Sequence, residues 1–124
     1  MAKGNREQEE IYLRLINKSE DYIEEHLSEA ISLADLAQHA NFSEFHFHRL
    51  FKECSTETLK SFITRIKLER AALFLSINQS ISLTDVALNY GYNDGSSFSR
   101  TFKHYFGISP SEYRIRARND KSSL

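Results

Sequence analysis

A chain of 124 residues, 40% apolar and with a single proline, can form one compact unit or two very small ones sharing a helix. It has too few breakers for a disordered tail protein. A net charge of −1 argues against nucleic acid only until its distribution is read: residues 1–30 hold four Lys/Arg against eight Asp/Glu, residues 31–124 twelve against nine. Local basic patches, more than the total, decide whether a surface attracts phosphates, although solvated helix faces would explain uneven charge equally well. No apolar run of about 18 residues is present to span a membrane, and Met1 to Glu10 lacks an apolar signal core. The lone Cys54 cannot form an internal disulfide and suits a reducing cytoplasm.

Apolar periodicity predicts an all-α fold without strands. The first helix is expected from about Glu7 to Leu27, with Ile11, Leu15, Tyr22, Ile23 and Leu27 on one stripe. Next comes an internal repeat. Ile31-Ser-Leu-Ala-Asp-Leu-Ala37 matches Ile81-Ser-Leu-Thr-Asp-Val-Ala87 at an offset of 50, and Arg49-Leu-Phe-Lys52 matches Arg100-Thr-Phe-Lys103 at an offset of 51. One residue has been gained in the region of Asn93 to Ser96, where a turn or helix start can absorb it.

Each copy carries the same punctuation. Ser32 and Ser82 are expected N-caps, with Asp35 and Asp85 completing a variant of the capping box. A short apolar helix follows. It ends at Asn41 in one copy and Gly91 in the other, residue types that tolerate the left-handed conformation. Second helices are expected over about Glu44–Cys54 and Asp94–Phe106. Short helix, tight turn and second helix make the helix-turn-helix signature. Between the copies, Leu59 to Leu75 reads as a long helix capped by Thr58, with Phe62, Ile63, Ile66, Arg70, Leu73 and Phe74 at spacings of three and four. The last helix follows Gly107-Ile-Ser-Pro-Ser-Glu-Tyr113, in which Ser109 caps, Pro110 takes the first position and Glu112 completes the box. After Arg118 the chain reads as a frayed tail or a cut linker.

The second helix of each copy has two faces. Phe47, Leu50, Phe51 and Cys54 form an inner stripe, as do Phe98, Thr101, Phe102 and Tyr105. The outer stripes are Phe45, His48, Arg49 and Lys52 in one copy, and Ser96, Ser99, Arg100 and Lys103 in the other. They superimpose at the offset of 51. Arg, His and Ser offer the donors and acceptors that base edges in a major groove recognise, and an aromatic edge can meet a thymine methyl. Lys52 and Lys103 suit phosphates better. Phe45 can either pack on Phe42 or meet a base; its place on the Arg49 stripe favours the base. A central helix of roughly 17 residues would span about 26 Å, near the separation of about 34 Å between successive major-groove faces. Two unlike reading helices ask for an asymmetric site of about 20 base pairs, whereas a homodimer asks for a palindrome.

The segment Ile81 to Arg114 resembles the AraC/XylS family signature, with Gly91, Phe98, Arg100, Phe102, Lys103, Phe106, Gly107, Pro110, Tyr113 and Arg114 at motif positions. The resemblance extends over about residues 10–116. It implies seven helices in two homeodomain-like helix-turn-helix subdomains, expected at 7–57 and 77–118, joined by a linker helix at 58–76, with a tail or truncated linker at 119–124. It further implies a transcription regulator, often an activator contacting RNA polymerase. Base contacts fall on Phe45, His48 and Arg49, and on Gly95, Ser96, Ser99 and Arg100; Gly95 brings no side chain to that task. Candidate phosphate contacts are Ser32, Ser43, Lys52, Ser82, Lys103 and Arg114. Thr56 stands where many members have glycine, so the turn there is expected to differ. The segment Asn41 to Lys52 resembles a subset in which a gyrase-inhibitor-like, small-molecule-binding domain commonly follows; the chain is then either a stand-alone regulator or a fragment of a longer one, and its ragged C-terminus favours the fragment.

Two other classes compete. His39, His46, His48, His104 and Cys54 are potential metal ligands, but no Cys-x-x-Cys or His-x-x-x-His pair exists, and His46 and His48 face different ways on one helix. No phosphate loop or nucleophile-base-acid set can be assembled, so neither an enzyme nor a cofactor is expected. A helical protein-interaction module would explain the acidic first helix but not the duplicated reading faces.

Overall fold

The computed structural model describes the backbone of residues 2–122 and the side chains of residues 6–120. Among the described residues the chain is all-α, with seven helices and no strand: α1 (Ala2–Glu25), α2 (Leu33–His39), α3 (Glu44–Cys54), α4 (Leu59–Ile77), α5 (Leu83–Asn89), α6 (Gly95–Phe106) and α7 (Pro110–Ser122). None of them is long and apolar enough to cross a membrane. The chain divides into two compact units. The first comprises residues up to His26 together with Ala30–Ile66; the second comprises Leu27–Glu29 with the residues from Lys67 onward.

In the first unit α1, α2 and α3 enclose a core with the start of α4. Leu15, Ile23, Leu36, Ala37, Phe47, Leu50, Phe51, Phe62 and Ile66 are buried there. Phe51 meets Phe62 at 5.6 Å between ring centroids and Phe47 at 6.4 Å. Buried Ser19 is tolerated because its hydroxyl donates to the Leu15 carbonyl at 2.7 Å. The first helix stops earlier than its apolar stripe suggests. His26 turns back, its Nδ1 donating to the Tyr22 carbonyl at 2.7 Å while its ring stacks on Tyr22 at 3.9 Å. Leu27 is thereby released from α1 and packs against the core of the second unit.

That second core consists of Leu68, Ala71, Ala72 and Leu75 from α4, Val86, Ala87 and Tyr90 from α5, and Phe98 and Phe102 from α6. The single stripe expected along α4 does not hold: Leu73 is 50% exposed, whereas Leu68, Ala71, Ala72 and Leu75 are buried. One stripe cannot serve a helix that supplies residues to two separate cores. Thr58 caps α4 as expected, accepting from the Ser61 amide at 3.1 Å. Asn78 ends it, its Oδ1 accepting from the Ser80 and Ile81 amides at 3.1 and 3.2 Å. Helix α7 continues past Arg118 to Ser122, so residues 119–122 are helical rather than frayed; residues 123–124 of the expected tail lie outside the described residues.

Candidate nucleic-acid interface

The turn that presents each outer face is built the same way twice. Ser32 caps α2 by accepting from the Asp35 amide at 3.1 Å, and Asp35 accepts from the Ser32 amide at 2.9 Å. That amide bond and the Ser32 hydroxyl hold the Asp35 carboxyl below its usual range. Ser82 caps α5 through its own hydroxyl, accepting from the Asp85 amide at 3.1 Å. Both short helices end in a Schellman arrangement. Asn41 donates to Gln38 at 3.2 Å and Phe42 to Ala37 at 2.9 Å; Gly91 donates to Leu88 at 3.2 Å and Tyr92 to Ala87 at 2.9 Å. The arrangement requires a left-handed residue, and Asn41 (φ 63°) and Gly91 (φ 90°) supply it.

Ser43 then caps α3, accepting from the His46 amide at 3.1 Å, and Asp94 caps α6, accepting from the Ser97 amide at 2.7 Å. Phe42 and Tyr92 correspond at the offset of 50, Ser43 and Asp94 at 51, so the gained residue is Asn93. The Ser97 backbone and side chain, with the Arg100 charge adding to them, hold the Asp94 carboxyl below its usual range.

On α3, Phe47, Leu50 and Phe51 are buried while Phe45, His48, Arg49 and Lys52 are exposed. Phe45 is 75% exposed, and the Phe42 ring instead meets His46 and Phe47 at 5.1 and 6.3 Å. On α6, Phe98 and Phe102 are buried, Ser96, Arg100 and Lys103 are exposed, and Gly95 and Ser99 are half-buried. Gly95 faces α5: a Cβ there would lie 3.5 Å from Thr84 Oγ1, an ordinary packing contact. Tyr105, expected on the inner stripe, is 39% exposed. The inner row steps by four residues from buried Phe98 and Phe102 to half-buried Phe106, with centroid separations of 5.7 and 4.5 Å, and Tyr113 of α7 closes on Phe102 at 5.5 Å.

Among the candidate phosphate contacts, Lys52 and Lys103 are exposed, and Ser32, Ser43 and Ser82 are exposed N-caps. Each serine oxygen accepts from its own helix, which leaves the hydroxyl proton for an outside acceptor. Arg114 is less exposed than the others. It is half-buried, its Nη1 donates to the Gln79 carbonyl at 3.4 Å, and its Nε and Nη2 are shielded from solvent. Tyr113 packs on Phe102 and Phe106, and the residue after it is carried towards the turn that ends α4.

Helices α6 and α3 end differently. Gly107 leaves α6 in the left-handed region (φ 83°), whereas α3 ends at Ser55 in extended backbone. Thr56 is β-branched and disfavours positive φ. Ser55 makes the turn instead, its Oγ accepting from the Glu57 amide at 3.1 Å and donating to the Glu57 carbonyl at 3.0 Å. Arg65 then grips the Glu57 carboxylate, with Nη2 at 2.7 Å.

Two acidic neighbours of Arg49 and Arg100 are not singled out by the repeat pattern. Glu53 lies 3.7 Å from Arg49 Nε and accepts from Gln8 Nε2 at 3.5 Å; its signal was the Arg-x-x-x-Glu spacing. Asp94, expected as the first residue of the helix, caps it instead, and the signal for this is the acid just before Gly95-Ser-Ser.

The residues at 36–116 match the model of a helix-turn-helix domain. The chain is 36% identical over 94 residues to the transcriptional activator AarP of Providencia stuartii, covering 76% of this chain and 69% of that protein. It is 35% identical over 99 residues to uncharacterized helix-turn-helix regulators of Staphylococcus aureus, covering 80% of this chain but only 13% of their length. An AraC-type DNA-binding-domain regulator from Chromobacterium violaceum superposes with a TM-score of 0.75 at 26% identity, over 83% of this chain and 91% of that one. The DNA-binding domain of AdpA, solved in complex with a target DNA, shares the fold with a TM-score of 0.68 at 22% identity, over 86% of this chain and 99% of its own.

Proposed function

Because the chain belongs to the AraC/XylS family of DNA-binding transcription regulators, we propose that α3 and α6 each enter a major groove of one duplex and read unlike halves of an asymmetric site. The observation that carries this reading is the duplicated outer face. Arg49 and Lys52 recur as Arg100 and Lys103 at the offset of 51, all four exposed, on helices capped and turned alike. In each copy the arginine offers paired donors for a guanine edge and the lysine, one turn on, a point charge for a phosphate. Phe45 and His48 beside Arg49, and Ser96 and Ser99 beside Arg100, make the two halves chemically different. Ser32, Ser43 and Ser82 are suited to hold the backbone at helix N-termini, where the partial positive charge favours phosphate.

AarP bears the name of an activator, which supports activation here, with RNA polymerase as the protein partner that the family resemblance implies. The cytoplasm is the compartment this role requires. An effector-binding domain belongs, on this reading, to a longer chain carrying this one.

A mobility-shift titration on a random-sequence duplex across salt concentrations tests the DNA assignment. Binding should fall linearly in a log–log plot, with a slope of about −0.9 for each phosphate neutralised. No shift at low salt would favour the alternative of a helical protein-interaction module.

A further inference from the structure

Resting on the proposal that Arg49 reads a base, we propose that Glu53 is a positioning residue for Arg49 and thereby sets base preference at that half-site. The two side chains are one helical turn apart on α3, with Glu53 Oε1 3.7 Å from Arg49 Nε, and both are largely exposed, at 67% and 47%. Glu53 is itself held from a different helix, since Gln8 Nε2 of α1 donates to the same carboxylate oxygen at 3.5 Å.

The geometry divides the guanidinium between two tasks. The Nε edge faces Glu53, which leaves the paired terminal nitrogens for the O6 and N7 of a guanine. An arginine on a free stem can instead swing to a phosphate, a contact that carries no sequence information. A carboxylate at this place opposes that swing twice: it attracts the guanidinium back, and its charge makes a phosphate approach less favourable. Glu53 thus exchanges some total affinity for discrimination. A purely structural residue would move both together.

The test compares Glu53→Gln, Glu7→Gln, Arg49→Ala and Arg49→Ala/Glu53→Gln on a selected duplex, on the same duplex changed at the base that Arg49→Ala relaxes, and on a random duplex. Glu7 lines the same groove of about 400 Å³ between α1 and α3, so it reports the effect of charge alone. Thermal unfolding checks that each surface variant keeps its fold. The expected result is that Glu53→Gln lowers discrimination at the Arg49 base about two- to fivefold and leaves binding to random duplex equal or tighter. Glu7→Gln should leave discrimination unchanged, and Glu53→Gln should change none of it once Arg49 is alanine. Unchanged discrimination in Glu53→Gln, or an equal effect from Glu7→Gln, overturns the positioning role while leaving Arg49 as a reader. If Arg49→Ala itself leaves base preference intact, the reading on which this rests falls first.

Discussion

The backbone amide of Tyr92 donates to the carbonyl of Ala87 over 2.9 Å, closing a turn that Gly91 makes possible by adopting φ 90°. A Cβ on Gly91 would lie 3.2 Å from Lys67 Nζ and 3.3 Å from the Leu27 carbonyl oxygen, tighter than most side-chain contacts. Lys67 has little room to yield, because its ammonium donates to the Glu29 carbonyl at 2.6 Å and is half-buried, which lowers its pKa. Gly107 has a similar φ of 83° but open space around it. Gly107→Ala should therefore cost only the left-handed penalty of about 1–2 kcal/mol, and Gly91→Ala measurably more. Urea unfolding of the two variants checks this, and equal losses would mean that the close approach is relieved by movement.

Phe102 and Tyr105 make a second comparison. Phe102 is fully buried against Phe98, Phe106 and Tyr113, while Tyr105 is 39% exposed. Phe102→Ala should destabilise by about 3–5 kcal/mol. Tyr105→Ala should change the same unfolding midpoint far less, and comparable losses would return Tyr105 to the inner stripe.

The acid limb of stability should report the Asp94 cap. Its carboxyl is held below the usual range in the folded chain, so the stabilisation is present above the unfolded value, near pH 4, and is lost as pH falls through the folded one. Asp35 behaves in the same direction through Ser32. Asp94→Asn keeps a capping oxygen but no titration. Its unfolding midpoint should therefore fall less steeply than wild type below about pH 4, and parallel acid limbs would contradict the assignment.

How much of this was legible beforehand follows from the range of each interaction. Caps and turns are local, so Ser32, Ser82, Thr58, Asn41 and Gly91 were readable from residue type and spacing, and the two-faced helices from periodicity. What sequence could not supply was non-local. The divided loyalty of α4 depends on two cores, which a single stripe of Phe62, Ile66 and Leu73 cannot express. The release of Leu27 depends on His26 folding back onto Tyr22. The inward turn of Arg114 depends on the Gln79 carbonyl, 35 residues away in the chain. Thr56 shows the intermediate case: its misfit for a glycine position was visible, but the Ser55 turn that replaces it was not.

Arg100 and Lys103 sit one turn apart on the exposed face of α6 and should fail in different ways. Arg100→Ala should cost about 1–3 kcal/mol on the preferred sequence and relax preference at its own half-site. Lys103→Ala should weaken all sequences alike and reduce the salt slope by about 1. Competition binding across base substitutions and salt distinguishes them, and identical profiles would merge the two roles.

Selection of bound duplexes from a random library, with the intact chain and with Arg49→Ala and Arg100→Ala, decides whether two unlike helices share one site. One enriched site with two dissimilar halves is expected, one half relaxed by each substitution. Enrichment of a palindrome, or both substitutions relaxing the same bases, would contradict it.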